Sequence, residues 1–97
     1  MIENRSEFEA ILRKALLRTD ELAKLGPSFP LPSMIRPQLD FISQFLRGDR
    51  DPSPEERARV NIGLVAVRNF DDSDPEYSAW LKALNYAFKY WEQISKT

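Results

Sequence analysis

Asp74-Pro75-Glu76-Tyr77-Ser78-Ala79-Trp80-Leu81-Lys82-Ala83-Leu84-Asn85-Tyr86-Ala87-Phe88-Lys89-Tyr90-Trp91 carries the strongest periodic signal in the chain. Tyr77, Trp80, Leu81, Leu84, Phe88 and Trp91 recur at three- and four-residue steps, so on a helix they fall within a narrow arc. The start is equally well marked. An Asp side chain accepts a hydrogen bond from a free N–H of the first turn, Pro at the first helical position gives up nothing, and Glu76 meets the positive end of the helix dipole. The segment predicts a helix from Pro75 to about Ile94 with one face in the core. Tyr86 and Tyr90 lie on the roughly opposite face, four residues apart, where packing has no obvious need of them. They are candidate interface anchors.

The stretch just before it, Ala66-Val67-Arg68-Asn69-Phe70-Asp71-Asp72-Ser73, completes a cluster of four carboxylates: Asp71, Asp72, Asp74 and Glu76. No basic residue stands between Arg68 and Lys82 to neutralise them. Capping explains Asp74 and Glu76. It does not explain Asp71 and Asp72, which makes the loop a candidate recognition surface.

Towards the N-terminus, Ser53-Pro54-Glu55-Glu56 is the cleanest helix start in the sequence: a cap, a proline at the first position and a capping-box Glu. The helix it opens reads through to about Val67. Ala58, Val60, Ile62, Leu64, Val65, Ala66 and Val67 cover most of its circumference, which predicts a buried, central helix. The β-branched residues leave a strand over 60–67 as the minority alternative. Ile35, Leu39, Ile42, Phe45 and Leu46 give a further helical face that stops at Gly48, with a start left open around Ser33 and Pro37. Pro27, Pro30 and Pro32 predict a stiff connector before it, and a polar turn runs from Gly48 to Ser53. At the beginning, Ser6 and Glu9 form a capping box, and Phe8, Ile11, Leu12, Ala15, Leu16, Leu22 and Leu25 line a helix ending at Gly26-Pro27. The expectation is an all-α, single-domain bundle of about four antiparallel helices spanning residues 1–97.

Composition narrows the function classes. The 97 residues suffice for one hydrophobic core, and the apolar and charged fractions of 42% and 30% are those of a folded globular chain. Fourteen basic residues against fifteen acidic ones give a net charge of −1 with no basic stripe, which argues against nucleic acid as a partner. The absence of Cys and His removes disulfides, thiol nucleophiles, thiolate or imidazole metal sites and the usual general base near neutral pH. Calcium loops starting at Asp72 or Asp49 fail, because Tyr77 or Pro54 stands where glycine is required and Ala83 or Val60 where the bidentate Glu belongs. Carboxylates on an exposed loop do not acquire the raised pKa that a glycosidase acid needs. The reading is a non-enzymatic binding protein that takes no cofactor or metal. With no apolar run long enough to span a bilayer and no signal-peptide core, it is expected in the cytoplasm, with no membrane partner.

Ala66-Val67-x-x-Phe70-Asp71-x-x-Asp74-Pro75-Glu76, supported by Gln38-Leu39-x-Phe41-Ile42, resembles the pattern of the small helical immunity proteins that neutralise a type VI secretion effector with NAD(P)+ glycohydrolase activity. The resemblance spans about residues 34 to 90. It implies an all-helical antitoxin that binds the cognate effector toxin domain and blocks its active site. Asp71, Asp74 and Glu76 match the family pattern by position, while Asp72, Tyr86 and Tyr90 are added as toxin-binding candidates from the residues themselves. A helical adaptor or oligomerisation module is the alternative from another class, and oligomeric state is open. A transcription regulator requires a recognition helix rich in exposed Arg and Lys, which this chain lacks.

Overall fold

Burying the Tyr77–Trp91 stripe takes more than one neighbour, and three helices supply the cover. The computed structural model describes residues 2–48 and 50–95; Met1 of the N-terminal stretch and Asp49 of the polar turn lie outside them. The helices are α1 (Arg5–Ala23), α2 (Leu31–Arg47), α3 (Pro54–Ala58), α4 (Ile62–Asn69), α5 (Pro75–Lys89) and α6 (Glu92–Ser95), with no strand among the described residues. The four longer ones form the antiparallel bundle that the periodicity predicts. Among the described residues no helix is long and apolar enough to cross a membrane.

The order of packing follows from paired side chains. Phe8 meets Trp91 at one end of α1 and α5 (ring centroids 5.5 Å), while the Thr19 and Tyr77 hydroxyls share a 2.6 Å hydrogen bond at the other. Thr19 also donates to the Ala15 carbonyl, so both buried hydroxyls are satisfied, and burial pushes the Tyr77 phenol up in pKa. The α1–α2 contact is fixed by the Arg5 guanidinium, which donates to the Phe45 carbonyl (3.0 Å) near the C-terminus of α2. Phe45 of α2 then reaches Phe88 of α5 at 5.6 Å, closing the core from the third side.

Three boundaries differ from the sequence reading. Asn4, not Ser6, caps α1: its side chain accepts from the Glu7 N–H, while Glu7 Oε1 accepts from the Glu3 N–H. Helix α2 begins at Leu31, ahead of Ser33, and has no side-chain cap, so the connector is shorter than the prolines suggest. Leu25 falls beyond the end of α1 and is exposed, next to Gly26, whose φ of 101° makes the left-handed turn.

The largest correction concerns the expected central helix, which is broken in two at residues 59–61. Its capping box is present, with Ser53 and Glu56 bonded reciprocally and the Arg50 guanidinium on the same carboxylate; these bonds hold Glu56 down to a pKa of about 2, Arg50 contributing most. At the break, Gln38 of α2 accepts from the Asn61 N–H (2.8 Å) and donates to the Asn61 side chain (2.7 Å). Asn85 of α5 accepts from the Gly63 N–H at 2.7 Å, acting as a cap delivered from another helix. These partners compensate backbone groups that the break frees. Only Ile62, Val65 and Ala66 of α4 are buried, while Leu64 and Val67 are half exposed, so α4 is a flanking helix and α5 the central one. No strand forms over 60–67. A second interruption, at Tyr90 and Trp91, ends α5 before the predicted Ile94 and starts α6.

The early start of α2 leaves Pro37 in the helix interior, exposed to solvent. There it lacks the N–H that would bond to the Ser33 carbonyl and crowds the preceding turn. Pro37→Ala is expected to raise the free energy of unfolding by about 1–3 kcal/mol, part of the helical gain being offset by a freer unfolded chain. Urea denaturation reads this directly, and an unchanged or lowered midpoint contradicts the placement.

Candidate functional site

The acidic loop is short because Phe70 is anchored at its start. Phe70 is buried, edge-on to Tyr77 at 5.0 Å and to Phe29 at 6.4 Å, and its carbonyl accepts from the Asp74 N–H at 2.9 Å. The loop therefore turns directly from the end of α4 into the cap of α5. Asp74 performs that cap as predicted, accepting from the Tyr77 N–H.

The four carboxylates are not the unneutralised knob that the sequence suggested. Asp71 accepts from the Ser78 hydroxyl and from Lys82 Nζ at 3.0 Å, and these two bonds, the Ser78 one first, lower its pKa. Asp74 Oδ2 accepts from Arg18 Nε at 2.8 Å, a contact from 56 residues away. Asp72 and Glu76 are exposed and make no ion pair among the described residues. The loop thus divides into two structural acids and two free ones.

Tyr86 and Tyr90 are exposed, with their rings in tilted contact at 4.7 Å and Lys89 Nζ 5.5 Å from the Tyr90 ring. Ten residues of helix separate Glu76 from Tyr86, about 15 Å at 1.5 Å per residue. The structure therefore does not gather acids and tyrosines into one cluster. It does set Glu76, Tyr86 and Tyr90 within about 80° of one another around α5, so they share a side of that helix.

One feature escaped the sequence reading. Trp80, assigned there to the core stripe, is only half buried and lines a groove of about 440 Å³ between α1 and the start of α5, with Leu17, Lys14, Arg18, Asp74 and Glu76. Leu17 is 63% exposed. Its signal in the sequence is an apolar residue standing off the buried stripe of α1, next to Arg18. The described residues hold no group of metal-ligating side chains. The chemistry available at this end of the molecule is ion pairing by free carboxylates and stacking by aromatic faces.

The family model Tsi6 matches residues 7–90. The chain belongs to the Tsi6 family. A relative named "Immune protein Tsi6" from Pseudomonas aeruginosa is 34% identical over 79 residues, covering 81% of this chain and 82% of the relative. No solved structure matches the chain. Membership bears out the resemblance read from residues 66–76, and the Tsi6 match takes in the loop acids, the groove and the two tyrosines.

The division of the loop acids is open to test by stability alone. Asp74→Ala removes a helix cap and should lower the unfolding free energy by about 1 kcal/mol for the cap alone. Asp72→Asn, with nothing to break, should stay within about 0.5 kcal/mol of the parent. Equal losses at the two positions in denaturant melts contradict the assignment.

Proposed function

We propose that this chain is a non-enzymatic immunity protein that binds the toxin domain of a cognate secreted effector in the cytoplasm and blocks that domain's active site. We propose further that the effector is a type VI secretion NAD(P)+ glycohydrolase. The observation that carries the reading is the pair of free carboxylates beside the cap of α5, Asp72 and Glu76, the latter on the side of α5 that also presents Tyr86 and Tyr90. Membership of a family with a relative named as an immune protein supports it.

The mechanism follows from charge and shape. A glycohydrolase cleft that receives a dinucleotide is shaped for phosphates, so carboxylates entering or rimming it occupy positions where substrate charge otherwise sits. Unpaired acids also steer encounter with a basic surface and raise the association rate at low salt. The paired tyrosines supply aromatic area of the kind that dominates binding energy at interfaces. Asp71 and Asp74 contribute by holding the loop, their charges being offset by Lys82 and Arg18.

Titration calorimetry with the toxin domain encoded beside this gene tests the proposal. The Asp72→Asn, Glu76→Gln double variant should bind at least tenfold more weakly, with a shallower dependence of affinity on salt. Tyr86→Ala with Tyr90→Ala should cost about 2 kcal/mol or more. Unchanged affinity in both double variants removes this face from the interface. No complex with the unsubstituted protein overturns the immunity reading in favour of the adaptor.

A further inference from the structure

We infer that the groove between α1 and the start of α5 receives one cationic side chain of the effector toxin domain, an arginine or lysine whose stem lies on Leu17 and Trp80 and whose charged head pairs with Glu76. This rests on the immunity reading above and adds to it a specific anchor, which the loop and the tyrosines do not supply.

Three observations converge on that occupant. The first is the state of Trp80. The other tryptophan, Trp91, is fully buried and donates its indole N–H to Asp51 at 3.0 Å. Trp80 makes no such bond and is only partly buried, lining the groove, so part of its indole surface stays open on a side chain that otherwise packs on the core. The second is Leu17, an exposed aliphatic side chain in the same groove that makes a wall for an alkyl stem but can offer no polar contact.

The third observation is the distribution of charge, which decides what kind of side chain enters. Of the groove's cations, Arg18 is committed to Asp74 (2.8 Å) and to Glu21 (3.8 Å). Glu76 stands one turn before Trp80, about 40° round the helix, with no cation on it. Helices α1 and α5 run antiparallel, with Arg18 meeting Asp74, so Lys14, one turn earlier on α1, lies towards the opposite end of the groove from Glu76. A cationic head is therefore drawn to the Glu76 end and repelled from the other. Asp72, two residues before the cap, adds a second unpaired negative charge on the Glu76 side.

The combination excludes the other occupants. An uncharged apolar side chain seated here would strip water from Glu76 without replacing its hydrogen bonds, which is costly. An anionic one would be repelled by the same carboxylate. An alkyl cation gains from both halves of the site: the indole face attracts its charge, and the carboxylate accepts charge-assisted hydrogen bonds. Arginine fits better than lysine, because its planar head stacks on the ring while its fork faces the two carboxylate oxygens. The exposed Leu64 and Val67 on α4 stand beside Arg68, an exposed cation with no ion pair among the described residues, so that patch does not select a cationic side chain.

The test uses the full chain labelled with 5-fluorotryptophan, which gives two ¹⁹F resonances assignable through Trp80→Phe. On adding the toxin domain encoded beside the gene, the Trp80 resonance should move and the Trp91 resonance should stay. Leu17→Lys and Glu76→Lys, both at exposed positions, should keep the parent's helix content by circular dichroism and weaken binding at least tenfold. Three results overturn the inference. A complex in which the Trp80 resonance is unmoved removes the groove from the interface while the immunity reading stands. Affinities of both variants within twofold of the parent show that no cation is held there. No binding by the unsubstituted protein removes the anchor together with the immunity reading.

Discussion

The constraint on which the structure depends is that the stripe of large apolar side chains along α5 must be buried, and that no single neighbouring helix covers it. Tyr77, Leu81, Leu84, Phe88 and Trp91 are all inaccessible to solvent. Each large side chain so buried favours folding by about 1.5–3 kcal/mol, so exposing any part of the stripe is not tolerated. Helix α1 covers one flank, α4 the other, and Phe41 and Phe45 of α2 close over Phe88. Trp91 is where the helices converge: it touches Phe8 of α1, Phe45 of α2 and Phe88 of α5, with the Arg5 guanidinium over its ring.

The proposed binding surface follows from that burial through register. The hydrogen bond between Thr19 and Tyr77 and the contact between Phe8 and Trp91 fix α1 lengthwise along α5. In that register Arg18 falls on Asp74, which ties down the cap of α5, and Leu17 shares a groove with Trp80. A shift of one residue in α1 would turn Leu17 by about 100°, and groove and ion pair would be lost together. The free acids, Asp72 and Glu76, are then presented by a loop with little freedom, since Phe70 is buried on one side and Asp74 is bonded on the other. Rigidity of this kind reduces the ordering cost of binding.

The α5 face could be read from the sequence because one strong period of 3.6 residues runs through it uninterrupted. The cap at Asp74 was equally readable, being a contact between neighbours in the chain. What escaped was set by residues far away. The break at residues 59–61 depends on Gln38 and Asn85, which reach the backbone from other helices, while the local pattern over 54–67 is compatible with one continuous helix. The neutralisation of Asp74 depends on Arg18, and that of Asp71 on Lys82 across a turn. Two cap-competent residues near the start of α1, Asn4 and Ser6, gave the sequence no way to choose, and Arg5 binding the Phe45 carbonyl favours the earlier helix start. Trp80 belongs to the periodic stripe by spacing, yet it sits at the stripe's edge, where α1 ends its cover.

The proposal that this chain silences an effector enzyme by occupying its substrate cleft is tested most directly by following NAD+ loss in the presence of the proposed glycohydrolase toxin domain while this protein is titrated in. The prediction is a linear fall in rate to zero at one equivalent when the toxin concentration is well above the dissociation constant. NAD+ loss that continues undiminished in the presence of an excess of this protein would contradict it.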